Sequence, residues 1–245
     1  MRSLKAGPVD LLAYVRAVPL LARHPQIALA PLLAAVAQVL LFKIMPADTG
    51  AGLLGSANSS LAVLASQLIA SFGLAVALIV AEAAWRRGRA PFDDAWDEAR
   101  HKAGGILLAA IGFNFITYIA GILGSVLGPI GALVLTLLAY VFFVYTIPAA
   151  AIGGLPGAAA LNGSLERAQR TIVASVLVTI LYFFVFSFAP SLIGNALLPL
   201  LLSSSALASG VIVSLVVAAA NAVLTAYLAI VLAKMYDDAS YARFY

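Results

Sequence analysis

A small set of polar side chains lies within long apolar stretches of this sequence and could do chemistry there. The set comprises Gln67, Glu82, Asn114, Thr117 and Asn221. If these stretches cross a membrane, a carboxylate such as Glu82 would mark an ion or substrate pathway, and the set could line a polar cavity. A structural role is the alternative. Glu82 stands four residues before Arg86 and can pair with it, and the uncharged members can hydrogen-bond between helices and fix their register.

Metal, cofactor and catalytic chemistry have weaker support. Glu98 and His101 have the Glu-x-x-His spacing of carboxylate-bridged di-metal bundles, but such a centre needs a second pair, and His24 has no carboxylate at that spacing. The chain has no cysteine. It also lacks a phosphate-binding P-loop, a G-x-S-x-G sequence and an H-E-x-x-H sequence. We therefore expect no catalytic residue, no metal and no cofactor, and predict that the chain is not an enzyme.

Composition and charge pattern predict a multi-pass membrane protein. Of 245 residues, 64% are hydrophobic and 10% are charged, whereas soluble domains carry about 25% charged residues. Apart from Lys43, the Lys and Arg residues fall into four clusters, and between clusters the apolar stretches come in pairs. Cytoplasmic loops collect Lys and Arg. We therefore predict six spans with both termini in the cytoplasm, placed in the inner (cytoplasmic) membrane.

The predicted fold is all-α: a single integral membrane domain, built as a polytopic bundle of six transmembrane helices. Each span is near the ~20 residues needed to cross a bilayer, and backbone groups in lipid must bond within a helix. The predicted spans are residues 26–44, 60–85, 104–126, 131–152, 171–188 and 210–235. Short amphipathic cytoplasmic helices are predicted at residues 8–23, 91–102 and 157–170, ahead of the first, third and fifth spans. In the first of them Leu11, Val15 and Val18 share an apolar face, and in the second Glu98 can pair with Lys102 four residues on. This order is compatible with three copies of one unit, although sequence identity between the units is weak.

Two further groups of residues are predicted to make contacts. Small residues four apart allow helix backbones to approach closely; they are Gly121, Gly124, Ser125, Gly128, Ser214, Ala218, Ala222 and Ala226. These residues serve packing either within the chain or toward a partner chain. Arginines near the span ends can bind anionic lipid headgroups, at roughly 1 kcal/mol each; they are Arg16, Arg23, Arg86, Arg87, Arg89, Arg167 and Arg170.

Two stretches carry a resemblance to a known family. In residues 148–170 (PAAAIGGLPGAAALNGSLERAQR), Ala160, Leu161, Ser164 and Arg167 fit an Ala-Leu-x-x-Ser-x-x-Arg-like helix that leads into a span. Residues 85–100 (WRRGRAPFDDAWDEAR) look like the matching loop before the third span. Together they resemble the six-span membrane domain attached to some bacterial glycerophosphodiester phosphodiesterases, and its stand-alone relatives of unknown function. No soluble segment here is long enough for the phosphodiesterase barrel. The resemblance therefore implies a fold and a membrane role, and it names no catalytic residue.

Two functions are compatible with this sequence. The first is a non-catalytic accessory or scaffold protein that packs against lipid, including anionic headgroups, or against a partner membrane protein or a second copy of itself; nucleic acid is not an expected partner. The alternative is a small permease or lipid transporter. In that case Gln67, Asn114, Thr117 and Asn221 would line a cavity, with Glu82 at its cytoplasmic mouth.

The predicted topology can be tested because the chain has no cysteine of its own. A cysteine at Leu127, beside Gly128 in the short turn between the third and fourth spans, should react with a membrane-impermeant maleimide in intact cells. A cysteine at Arg89 should react only after the cells are permeabilised. Labelling of the Leu127 variant only from inside the cell would contradict the arrangement.

Overall fold

Helices form throughout the part of the chain that the computed structural model describes, residues 10, 12–45, 53–202 and 206–241. The helices are α1 (Leu12–Arg23), α2 (Leu29–Ile44), α3 (Leu53–Arg87), α4 (Phe92–His101), α5 (Ala103–Ser125), α6 (Gly128–Phe143), α7 (Thr146–Ala151), α8 (Ala158–Arg170), α9 (Ile172–Phe183), α10 (Ala189–Leu202) and α11 (Ala206–Tyr241). Within these residues there is no β-strand. The fold is an all-α membrane helix bundle, as the sequence predicts.

Six helical segments in the described residues are long and apolar enough to cross a membrane. They are Pro25–Ile44, Ser60–Arg87, Ala103–Ser125, Gly128–Ala151, Ile172–Ala196 and Val213–Ala239. The fifth extends beyond the predicted residue 188, through a π-helical turn at Phe184–Phe188 and into α10. Pro190 gives the physical reason for the π turn, since proline cannot donate to the carbonyl four residues back and its ring clashes with that carbonyl.

The basic loops converge at one end of the bundle. Arg86, at the end of α3, pairs with Asp237 of α11, and Lys102 donates to the Ala151 carbonyl at the end of α7. Arg167 of α8 lies over the ring of Tyr236. We call this end, marked by Arg86, Lys102, Arg167 and Lys234, the basic end.

The chain is arranged as three similar units that form a closed ring. Unit 1 is α1–α3, unit 2 is α4–α7 and unit 3 is α8–α11. In each unit the short first helix packs on the second span of the preceding unit: α4 on α3, α8 on α6 and α7, and α1 on α11. The first spans repeat the relation, with α5 on α3, α9 on α6 and α2 on α11. The spatial repeat is therefore much clearer than the weak sequence repeat.

The three second spans meet in a densely packed core near the basic end. Residues 73–81, 144–151 and 228–233 are each buried without interruption, and α3, α7 and α11 contact one another there. A helix can be covered on every side only if its neighbours approach closely, and the alanines that are frequent in these runs permit that approach. The result is a tightly filled core of mostly alkyl side chains that also includes Tyr145 and Thr146.

The helix of the second span of unit 2 is interrupted in this core, and a side chain hydrogen-bonds to the backbone groups at the interruption. Pro148 has no N–H for the carbonyl of Val144, and the helix is interrupted between Phe143 and Thr146. The Ser164 hydroxyl, fully buried on α8, accepts from the Tyr145 N–H at 3.1 Å and donates to the Phe142 carbonyl at 3.0 Å. Backbone groups freed inside a membrane need such partners.

Glycines provide the tightest contacts between neighbouring spans. A Cβ added at Gly124 would lie 2.5 Å from the Ala132 Cα and from the Gly131 carbonyl oxygen. At Gly73 it would lie 2.6 Å from the Ala34 Cβ. The α5–α6 hairpin and the α2–α3 hairpin therefore depend on the absence of a side chain at these positions.

The substitution Gly124→Ala should destabilise the protein. The obstructing atoms belong to the backbone of α6, so relief needs a shift of the whole helix, and overpacking of this kind costs about 1–3 kcal/mol. Gly104→Ala is the matched control, because nothing lies within 4 Å of its added Cβ; it should be neutral or slightly stabilising. Thermal unfolding in detergent would measure both, and equal melting temperatures would contradict this packing.

Candidate functional site

A charged network lies where units 1 and 3 meet at the basic end. Arg86 donates to Glu82 on its own helix at 3.2 Å and to Asp237 of α11 at 2.6 Å. The predicted pairing of Glu82 with Arg86 is thus confirmed, while the contribution of Asp237 was not anticipated. The Arg86 side chain is half exposed, whereas those of Glu82 and Asp237 are 21% and 22% exposed. One guanidinium of α3 therefore pairs with two largely shielded carboxylates, and the one from Asp237 joins α3 to α11.

Tyr236 extends this network toward unit 2. The Arg167 guanidinium lies 4.2 Å from the centroid of the Tyr236 ring, a cation–π arrangement. The Tyr236 hydroxyl occupies the space where a Cβ of Gly153 would stand. Because Gly153 follows α7, this contact ties the end of α11 to the second span of unit 2.

Lys102 makes two contacts at the same end of the bundle, both within unit 2. Its ammonium group donates to Glu98 at 2.5 Å and to the Ala151 carbonyl at 2.9 Å. The first contact is the ion pair predicted from the i,i+4 spacing. The second places a cation at the negative end of α7, where orphan carbonyls need a partner.

A small cleft of about 80 Å³ opens between α3 and α4 beside the network. Its charged lining residues are Glu82, Arg86, Arg87, Asp94 and Glu98. Three carboxylates and two guanidiniums could hold water or a small polar group bearing charges of both signs. Within the described residues, no three His, Asp or Glu side chains come together in a way that could hold a metal ion.

The remaining polar candidates differ in their surroundings. The Asn114 amide donates to the Ala110 carbonyl, and the Thr117 hydroxyl donates to the Phe113 carbonyl, so both bond within α5. Gln67 is exposed on α3. The Asn221 carbonyl oxygen is buried and has no hydrogen-bond partner among the described residues. Of the five candidates, only Glu82 lies in the cleft.

The small-residue candidates have several distinct roles. Ala218, Ala222 and Ala226 are buried within the chain; Ser214 is only partly buried on the same helix. Gly121 lies against Thr136 and Gly124 against α6. Ser125 is exposed and donates to the Ile122 carbonyl. Gly128 has a φ of +84° and open space around its Cβ position, so it serves the turn rather than a close helix contact.

The candidate lipid-binding arginines separate into engaged and free groups. Arg86 and Arg167 are held by the contacts above, and Arg170 pairs with Glu166 at 3.6 Å. The other four are exposed: Arg16, Arg23, Arg87 and Arg89. The exposed group is the one with guanidiniums available to a headgroup.

Several residues important to this end were not identified from the sequence. Tyr236 and Asp237 sit in the last turns of an apolar helix, and Gly153 is one of many glycines. Pro148 in a span was a usable signal for the break in the helix, but no local signal identified Ser164 as the donor to the Phe142 carbonyl. No comparable local signal pointed to the contact between Tyr236 and Gly153.

Tyr14 shows that the inner side of α1 is shielded from solvent. Its carbonyl accepts from the Tyr227 hydroxyl at 3.0 Å, and its own hydroxyl is buried without a hydrogen-bond partner among the described residues. Burial, with Tyr145 and Tyr227 nearby, raises the pKa of the Tyr14 hydroxyl. The side chain therefore stays neutral at physiological pH.

Comparison of the chain with protein-family models, curated proteins and solved structures gave no match.

The coupling across the charged network can be measured by a double-mutant cycle. Arg86→Gln and Asp237→Asn should each destabilise the protein in detergent, with an interaction term of about 0.5–1 kcal/mol because Asp237 is shielded. The exposed pair Arg100 and Asp97, 3.8 Å apart, is the matched control and should give a term near zero. Equal terms for the two pairs would contradict a special role for Arg86.

Proposed function

We propose that this chain is a non-catalytic integral membrane protein, an accessory or scaffold component that packs against lipid or a partner membrane protein. The observation that carries the proposal is the closed core at the basic end. Residues 144–151 and 228–233 are buried without interruption, so side chains that are mostly alkyl, with Tyr145 and Thr146 among them, fill the space between the second spans at this end. Such a bundle offers its surface, rather than its interior, for interaction.

The hydrogen bonding of two polar candidates supports the same proposal. Asn114 and Thr117 use their side chains on carbonyls one turn back in α5, which is how polar residues are accommodated in a span without an external ligand. The outward-facing residues, by contrast, are large and apolar on every span, among them Leu108, Phe115, Leu133 and Ile180. Extensive apolar surface of this kind is suited to acyl chains or to another membrane protein.

The permease alternative is favoured by two specific observations. Glu82 lines a small charged cleft at the basic end, and in a permease this cleft would be the mouth of the pathway. The buried Asn221 carbonyl oxygen also has no hydrogen-bond partner among the described residues, and a bound ligand could supply one.

Accessibility of Asn221 separates the two functions. In membranes, Asn221→Cys should resist a hydrophilic thiol reagent if the protein is a scaffold, and should react if Asn221 faces a polar pathway. Ala226→Cys, on the same helix and fully buried, is the unreactive control, and Leu127→Cys is the reactive one.

The accessory role itself is tested by gentle extraction. A tagged chain should retain a lipid or membrane protein in stoichiometric amount, identified by mass spectrometry, and Asn114→Leu should leave that retention unchanged. Recovery of the bare chain, together with reaction at Asn221, would overturn the proposal in favour of transport.

A further inference from the structure

The three short helices at the basic end, α1, α4 and α8, each pack a face of small residues on the bundle. Viewed along the axis of α4, at about 100° per residue, the buried Ala95 and Ala99 face the bundle. An apolar flank lies beside them, and a charged flank that includes Asp97 lies on the opposite side. The apolar flank of α4 is Phe92 and Trp96, both partly covered; Trp96 packs on Phe72 with ring centroids 5.8 Å apart. The apolar side chains of α4 are therefore covered in part by protein, and its charged side chains are exposed.

The same order holds in α8. Ala160, Ser164 and Ala168 are buried against the bundle, the partly buried Leu161 and Leu165 follow, and the exposed polar flank comes next. In both α4 and α8, the side opposite the buried small residues is therefore polar and exposed.

In α1, by contrast, the side opposite the buried face is aliphatic. Ala13 and Ala17 are fully buried on the side facing α11, whereas Leu12, Val15 and Val18 are 56%, 69% and 59% exposed. The apolar face predicted from Val15 and Val18 is thus not the face that packs on the bundle. A stripe of aliphatic side chains this exposed needs an apolar neighbour.

The depth of α1 indicates what that neighbour is. The hydrogen bond from Tyr227 to the Tyr14 carbonyl fixes α1 beside α11, seven residues before Lys234. At 1.5 Å per residue, this point lies ~10 Å along the helix from the charged end. Interfacial helices bury their apolar faces by roughly 5–10 Å at the boundary between headgroups and acyl chains.

The positive charges on α1 indicate which class of lipid lies beside it. Arg16 and Arg23 are exposed next to the aliphatic stripe, and neither forms an ion pair within the described residues. Guanidiniums beside an inserted apolar face are complementary to phosphate-bearing anionic headgroups.

We propose that α1 is inserted into the leaflet at the basic end and binds anionic phospholipid, with Leu12, Val15 and Val18 among the acyl chains and Arg16 and Arg23 at the phosphates. The proposal rests on the membrane setting of the proposed function and is independent of the accessory role.

Insertion can be measured with a fluorophore on single cysteines. Val15→Cys and Val18→Cys, labelled with bimane in vesicles, should be strongly quenched when phosphatidylcholine brominated on its acyl chains replaces the unbrominated lipid. Asp97→Cys, on the charged flank of α4, is the matched control and should show little quenching. Equal quenching at all three positions, or none at Val15 and Val18, overturns the proposal; excimer formation by pyrene at Val15 would assign the face to a second copy of the chain instead.

Headgroup binding is measured separately by native mass spectrometry with phosphatidylglycerol and phosphatidylcholine. The pair Arg16→Gln and Arg23→Gln should lower the preference for phosphatidylglycerol by about fivefold per arginine, the factor given by ~1 kcal/mol. Arg100→Gln with Lys43→Gln, two exposed cations outside the candidate lipid-binding set, is the control of equal charge, and an equal loss there would overturn a site on α1. Failure of stoichiometric partner retention would count against the accessory role only, since neither readout here involves a partner.

Discussion

Close approach of helix backbones is the constraint on which this structure depends. In lipid there is no hydrophobic driving force between helices, so association rests on van der Waals contact and on hydrogen bonds. The second spans meet through long buried runs containing many alanines, and Gly124 and Gly73 bring neighbouring spans still closer. Bulky side chains at these positions would separate the helices and remove the contact that replaces hydrophobic burial.

The charged groups at the basic end follow from that packing. When α3 and α11 run side by side, their last turns bring Arg86 between Glu82 and Asp237. The same packing places Tyr236 against Gly153 and under Arg167. Shielded charges need partners at short range, so the network specifies how the ends of the units fit together in addition to any contribution to stability.

The fold was predictable from the sequence because the bilayer imposes strong rules. Span length and the clustering of Lys and Arg predicted six apolar helices, and i,i+4 spacing predicted the pairs Glu82–Arg86 and Glu98–Lys102, which the structure confirms. The site was harder to predict because its key contacts are distant in the chain. Asp237 meets Arg86 across 151 positions, and no local pattern encodes such a pairing.

The apolar face of α1 illustrates a different limit. Its periodicity was visible, but a helix with two apolar sides has two possible orientations, and only the contacts of Ala13 and Ala17 decide between them. The smaller side chains pack on the protein because they permit close approach, and the larger ones face outward. In a membrane, the usual inference that the bulkiest apolar side chains face the protein interior is therefore unsafe.

Closure of the ring has a consequence for how the protein is made. Units 2 and 3 each pack on a unit that has already been synthesised, whereas α1 and α2 pack on α11, which emerges from the ribosome after all the other helices described here. Until α11 has been made, the sides of α1 and α2 that pack on it can be covered only by lipid or by an insertion factor. Closing the ring therefore requires a late docking step between unit 1 and unit 3.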